Sequence, residues 1–190
     1  MALGRDIRDF LTMLAATALL ALAPASPASA DSMLVQPDGR IVLTGKTWPD
    51  FGALARLNPD GSPDAGFGAG GFVVDRRLPP LSALALQPDG RILAGGVGGF
   101  QLASYLPNGA PDPGFAGGGV GGTVDASQPI YSDAIGPAEI LVRPGGEIVV
   151  AGIQREAGKE WGSPQGLVRR YDGNGAFLET VGHIDLPPGV

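Results

Sequence analysis

Three aspartates recur at matching places along the chain and are the side chains best suited to acid–base chemistry. Asp75, Asp125 and Asp185 close the stretches "FVVD", "GTVD" and "HID". Carboxylates gathered around an axis could bind a cation, or act as acid and base in a hydrolase or lyase. Burying several like charges together raises their pKa values and destabilises the fold, so capping of the amides of a neighbouring turn is the favoured interpretation. No residue is assigned a catalytic role.

A tight loop, "NPDGSPD", offers oxygen ligands for a metal ion. Its Asn58, Asp60 and Asp64 carry the hard oxygen atoms that Ca²⁺ prefers. The second version of the loop keeps only Asn108 and Asp112, and the terminal glutamate of an EF-hand loop is missing. Turn formation by these side chains is therefore the favoured interpretation, and calcium is the one cofactor kept as an alternative.

The two tryptophans, Trp48 and Trp161, lie in segments of variable length that are rich in glycine and proline. Exposed aromatic side chains in such segments are natural contacts for a glycan or a peptide. Covering a neighbouring sheet is at least as common a role for tryptophan. The pair is therefore a candidate ligand-binding site with a structural alternative.

Composition excludes several kinds of chemistry. The chain has no cysteine and one histidine, His183, which excludes disulfides, thiolate catalysis and multi-histidine metal sites. A net charge of −6 without basic clusters argues against a nucleic-acid partner. The G-x-G-x-x-G pattern at 66–71 precedes a strand instead of a helix, so we interpret it as a structural bend and not as a nucleotide site.

The first 30 residues have the features of a secretory signal peptide. The apolar run at 10–23 is short for a membrane span, and Ala28-Ser29-Ala30 has the small residues that signal peptidase accepts. We expect cleavage after Ala30 and export to the periplasm or the cell exterior, with no stable membrane insertion afterwards. A retained membrane anchor is the alternative.

A sequence repeat must position all of these side chains. Three versions of one segment occur: "MLVQPDGRIVLTG" at 33–45, "LALQPDGRILAGG" at 84–96 and "ILVRPGGEIVVAG" at 140–152. In each, a Pro-Asp-Gly or Pro-Gly-Gly turn separates two apolar stretches that favour strands. Proline presets the first corner of a turn and glycine accepts positive φ, so each segment predicts a β-hairpin.

A second landmark follows each hairpin in the same order. "ALARLNPDGSPDAGFGAGG" (53–71) matches "QLASYLPNGAPDPGFAGGG" (101–119) closely and "GLVRRYDGNGAFLETVG" (166–182) more loosely. Each adds a strand, a turn and a connection to a short fourth strand. We expect Phe67 and Phe115 to pack under the Gly-rich bend as plugs, with Phe177 or Leu178 in that role in the third copy.

Four short strands per copy are the content of one propeller blade. A single sheet cannot bury both of its faces, so neighbouring copies must stack on each other. We therefore predict an all-β fold of tandem four-stranded antiparallel blades, an incomplete β-propeller-like array of three repeats. It occupies residues 31–190, with repeats at about 33–80, 81–137 and 138–186.

The motifs "ALQPDGRILAGG" and "ALARLNPDGSPDAGFGAGGFVV" resemble the delta-60 repeat family of secreted and surface proteins of bacteria. The resemblance covers nearly all of residues 33–186, strongly in two copies and weakly in the third. It implies β-propeller-like blades and export, and it carries no general set of catalytic residues. Members usually have more than three copies, so this chain is a short open array, a truncated member or a chain that pairs with another.

These observations predict an exported, non-enzymatic β-repeat protein that acts as a structural or binding module with an unidentified ligand. An enzyme on an oligomeric or truncated propeller, a hydrolase or lyase, is the alternative. Open sheet edges invite self-association, for example into a dimer that carries six blades.

Overall fold

The computed structural model describes residues 32–47, 51–96, 101–117, 123–124, 137–155 and 164–185. Within these ranges the chain forms three antiparallel sheets, which we call the first, second and third blade. The first blade contains β1 (Ser32–Val35), β2 (Ile41–Thr47), β3 (Phe51–Leu57) and β4 (Phe72–Asp75). The second contains β5 (Leu81–Leu86), β6 (Ile92–Gly96), β7 (Gln101–Tyr105) and β8 (Thr123–Val124). The third contains β9 (Pro137–Val142), β10 (Ile148–Arg155), β11 (Pro164–Tyr171) and β12 (Phe177–Asp185).

Strand order follows the chain in every blade, so each blade is a four-stranded meander of consecutive hairpins. The described part of the chain contains no α-helix, and a single 3₁₀ turn lies at Phe115–Gly117. The three sheets form an open array and do not close on themselves. The predicted fold class, an all-β, incomplete β-propeller-like array of three four-stranded repeats, is therefore confirmed.

The first hairpin of each blade closes as the turn residues predict. In the first blade Gly39 has a φ of 83°, and its N–H donates to the carbonyl of Gln36 at 2.9 Å. The carboxylate of Asp38 accepts from the amide of Arg40 at 3.0 Å, which fixes the far side of the turn. The turn sets the register that pairs Val35 with Ile41. Side chains that point to one face of the blade therefore alternate with those that point to the other.

The blades bury their apolar faces against one another. We call the face of a blade that carries Val42, or its repeat counterparts Leu93 and Val149, the front face, and the opposite face the back face. The front of the first blade packs on the back of the second in one buried cluster, which includes Val42, Leu54, Phe67, Ile92, Ala103 and Tyr105. The front of the second packs on the back of the third in another cluster, which includes Leu93, Leu102, Phe115, Ile140, Ile148 and Tyr171.

Phe67 and Phe115 are completely buried plugs at these two interfaces. The expectation that Phe177 or Leu178 fills this place in the third blade is wrong, because their side chains are 55% and 51% exposed. The physical reason is the short connection after the third turn. Strand β12 already begins at Phe177, so the third blade has no loop that could fold a side chain back under the sheet.

The expected signal peptide, residues 1–30, lies outside the described residues. Among the residues that the structure does describe, no helix is both long enough and apolar enough to cross a membrane.

Candidate functional site

A pocket of about 660 Å³ lies where the first hairpin turns of the three blades converge. The matching turn residues Gln36, Gln87 and Arg143 line it together with the prolines that follow each of them. Because equivalent strands of the repeat end at the same side of the array, the same short turn supplies the wall three times. The pocket therefore belongs to the array as a whole and not to one blade.

Two glutamine side chains give this pocket its unusual chemistry. Gln36 and Gln87 are 9% and 2% exposed. The Oε1 atom of each is buried and accepts no hydrogen bond from the described residues. The other end of the Gln87 amide is held, because its Nε2 donates to the carbonyl of Gly173 at 2.8 Å. A buried acceptor without a donor destabilises the fold by about 1–3 kcal/mol, so both oxygens can gain from a ligand that donates hydrogen bonds.

Charged groups complete the wall of the pocket. The Arg56 guanidinium is only 8% exposed, donates from Nε to Asp64 at 2.7 Å and donates from Nη1 to the carbonyl of Pro107. The backbone N–H of Arg40 and then its guanidinium lower the pKa of the Asp38 carboxyl, which is therefore ionised at neutral pH. Arg143 is 60% exposed at the rim. Acceptors, cations and a carboxylate thus surround one cavity.

The residues proposed for calcium are engaged in local hydrogen bonds. Asp60 accepts from the amide of Ser62 at 2.9 Å and from its hydroxyl at 2.6 Å, and the Asn58 amide donates to that same hydroxyl. Asp64 accepts from Arg56 at 2.7 Å and from the amide of Gly66 at 2.9 Å. These contacts are those of turn formation, and calcium binding here stays a prediction. Among the described residues no group of three or more His, Cys, Asp or Glu side chains could hold a metal ion.

Asp75 is the one repeat-equivalent carboxylate whose side chain the structure describes. It is 5% exposed and accepts from the Arg77 side chain, from the Arg77 amide and, at 3.1 Å, from the Tyr105 hydroxyl. Burial acts to raise the pKa of Asp75, but the hydrogen bonds and charge of Arg77 outweigh it, so the pKa is lowered. An ionised carboxylate with this many donors links β4 to the next blade and is poorly suited to accept a proton from a substrate.

The other predicted site residues cannot be compared in the same way. Trp48, Trp161 and Asp125 lie outside the described residues. Asp185 is the last residue of β12, as Asp75 is the last of β4, but its side chain is not described. The roles proposed for these residues stay predictions.

Sequence reasoning did not identify Gln36 and Gln87 as site residues. The "QPDGR" motif predicts a turn, and turn formation gives the glutamine before the proline no role of its own. One sequence feature could have identified them: glutamine occupies the same strand end in two copies. The turn itself requires only the three residues that follow, so the repeated glutamine indicates a further role. Arg143 takes the same place in the third copy.

The fold and the pocket define a class of protein: a β-propeller-type repeat array with a polar cavity at the turn end. Residues 36–67 and 87–115 match the family model described as a domain of unknown function (DUF5122) beta-propeller. Both matched segments begin at a pocket glutamine and end at a buried plug, Phe67 or Phe115. The match supports a β-propeller repeat family for this chain. None of the curated proteins compared with the chain matches it.

Proposed function

We propose that the chain is an exported, non-enzymatic binding module of the delta-60 repeat type, and that it binds a neutral polyhydroxylated ligand, a glycan, in the pocket between its turns. One observation carries this proposal: Gln36 and Gln87 line one cavity, and the amide oxygen of each is buried without a donor from the described residues. Sugar hydroxyls both donate and accept hydrogen bonds, so they can donate to these oxygens and accept from Arg56 or Arg143.

The ring of prolines supports a sugar over a charged ligand. Pro37, Pro88 and Pro144 put apolar surface beside the polar groups, and a sugar ring presents both kinds of surface. The carboxylates of Asp38 and Asp89 are also at the rim and would repel an anion. A strongly anionic ligand would therefore be attracted by the arginines and repelled by the aspartates.

A non-enzymatic role is supported by the state of Asp75. Both of its oxygens already accept hydrogen bonds, and it lies at the far end of β4 instead of in the pocket. We therefore do not propose the hydrolase or lyase alternative.

The proposal is tested by calorimetry with a panel of neutral mono- and disaccharides, with a panel of short peptides alongside. Gln36→Leu removes one acceptor at nearly the same volume, and Gln87→Leu removes the other. We expect a sugar to bind the native chain and each variant to bind it at least about tenfold more weakly, since one lost buried hydrogen bond is worth about 1.4 kcal/mol.

Thr180→Ala is the matched control, because Thr180 is exposed on β12 and does not line the pocket. It should bind like the native chain. Sugar binding that neither glutamine variant weakens would place the ligand elsewhere and refute the proposed site. Binding of peptides alone would refute the ligand class.

A further inference from the structure

The array has two outward faces, the back of the first blade and the front of the third. Large apolar side chains are exposed on both, although Ala53, Ala55 and Phe72, on β3 and β4 of the back of the first blade, are buried. On the first blade Met33 is 64% and Val35 is 59% exposed, and on the third blade Leu141 is 60% exposed. All three residues belong to regular strands whose opposite faces are packed on the core.

Comparison with the other two blades indicates what would pack on the back of the first blade. Met33 has Leu84 and Ile140 as counterparts in the other two blades. Leu84 packs on the cluster between the first and second blades, and Ile140 is 3% exposed in the cluster between the second and third. The same position is thus covered by a preceding front face in two blades and is uncovered in the first.

A second position distinguishes the first blade from the other two: a glycine that leaves space for the plug of the preceding blade, which we call the socket. A Cβ on Gly109 would lie 3.0 Å from the Phe67 ring, and one on Gly175 would lie 2.5 Å from the Phe115 ring, so each glycine leaves room for the plug of the preceding blade. Gly61, their counterpart in the first blade, has the same φ of 83° as Gly175, but no atom of the described residues lies within 4 Å of such a Cβ. The first blade keeps the socket without a plug from the described residues.

Backbone hydrogen bonds follow the same scheme. The amide next to each plug donates to the following blade: Gly68 to the carbonyl of Asn108 at 2.8 Å, and Ala116 to that of Asn174 at 2.5 Å. Asp60 is the counterpart of these two acceptors in the first blade. Its carbonyl receives no hydrogen bond from the part of the chain that the structure describes.

The front of the third blade has the complementary features. Leu141 is the counterpart of Leu34, which packs on the first interface, and of Ala85, which is buried in the second. Arg170 is the counterpart of Arg56, which donates across its interface to the carbonyl of Pro107. Arg170 binds Glu147 and Glu179 on its own blade.

We propose that a second copy of this chain docks head to tail, with the front of its third blade on the back of the first blade of its partner. A head-to-tail contact used twice around a twofold axis closes into a ring. Closed propellers have typically about four to eight blades, and two copies of three blades give six, which is the one multiple of three above three in that range. The open faces, and not only the sheet edges, then become interfaces of the kind that already joins the blades.

The absence of a plug in the third blade sets the strength of this contact. Each intramolecular interface has a fully buried phenylalanine, and the proposed one has none in the described part of the chain. The dimer should therefore be in exchange with monomer as the protein is diluted.

The experiment is sedimentation of the purified 190-residue chain over a range of concentrations, with the protomer mass read from the same sample by mass spectrometry. We expect a dimer at high concentration. Met33→Lys and Leu141→Lys, each on one outward face and each at a side chain more than half exposed, should both raise the dimer dissociation constant at least about tenfold. Thr180→Lys adds the same charge outside these faces and should leave the dimer intact.

Mixing the two variants distinguishes head-to-tail docking from other pairings. A Met33→Lys chain offers a native third blade and a Leu141→Lys chain offers a native first blade, so the mixture has one native interface and should recover a heterodimer. A strict monomer, a dimer that resists both variants, or a dimer that is lost with only one of them would overturn the proposal. Circular dichroism of each variant confirms that the strands persist.

Discussion

Ala116 holds a backbone conformation that its repeat counterpart Gly68 reaches without strain. Their φ angles are 62° and 52°, and Ala116 is the one described non-glycine residue with positive φ. A left-handed conformation is unfavourable for an L side chain by about 1–2 kcal/mol. The strain is located beside Phe115, where the bend must turn the plug inward.

We expect Ala116→Gly to stabilise the protein by about 1 kcal/mol in urea unfolding, because glycine removes this strain. The reverse change, Gly68→Ala, should destabilise it more strongly, since the new Cβ would lie 2.1 Å from the carbonyl oxygen of Phe72. Equal effects of the two variants would contradict the assigned conformations.

Asp75 links stability to pH. Its folded-state pKa is lowered, so its contribution is complete above the ordinary carboxyl pKa of 3.8 and is lost as the pH falls through the folded-state value. Asp75→Asn should destabilise the protein by about 1–3 kcal/mol at pH 7, because charged hydrogen bonds to Arg77 and Tyr105 are lost. In thermal melts from pH 7 to 2.5, the gap between native and variant chains should shrink below pH 4. A constant gap would show that the charge is not responsible.

At the scale of the element, the plug loop decides how firmly a blade is joined to the next. Phe67 is completely buried and its ring lies 4.5 Å from the Arg56 guanidinium carbon, so packing and a cation–π contact combine there. Phe67→Ala and Phe115→Ala should each destabilise the protein by about 3–5 kcal/mol in chemical unfolding. Phe177→Ala is the control, because that ring is 55% exposed and should matter far less.

The blades could be predicted from the sequence because their signals are local. Gly39 and Gly90 each follow Pro-Asp between apolar stretches. A tight turn of this kind depends on its own residues and not on distant parts of the chain. The match of Phe67 with Phe115 likewise predicted two buried plugs. The third plug was predicted wrongly. The third copy aligns only loosely with the first two, and the loop that carries the plug in those copies is missing before Phe177.

The pocket could not be predicted in the same way. It arises where Gln36 and Gln87, far apart in the chain, come to lie around one cavity with Arg143. Distances across three blades depend on the rotation between sheets, which no single repeat encodes. Trp48 and Trp161 had the stronger sequence signal for ligand binding. Aromatic side chains are common contacts in binding sites, whereas a glutamine at a strand end is usually a solvated surface residue.

At the scale of the whole molecule, export is the first property to measure. Ala28-Ser29-Ala30 predicts a cleavage site, so protein recovered from the periplasm or the medium should begin at Asp31. N-terminal sequencing checks this directly. An intact leader in a membrane fraction would support the retained anchor, and an intact leader in the cytoplasm would argue against export.

Ring closure also predicts how heat stability depends on protein concentration. If the folded state is a dimer, dissociation is coupled to unfolding, and the melting temperature rises with concentration. Met33→Lys should abolish this dependence while changing the melting temperature of a dilute sample little, since Met33 is 64% exposed. A melting temperature of the native chain that is independent of concentration would contradict the ring.

The matching front and back faces have a consequence for how such proteins change over time. A unit whose two sides fit each other can be duplicated or deleted by genetic recombination without inventing a new contact surface. If the proposed docking holds, a chain with one blade more or fewer would keep the same two end faces. The socket at Gly61, which holds no atom of the described residues, is the point at which such an added unit would attach.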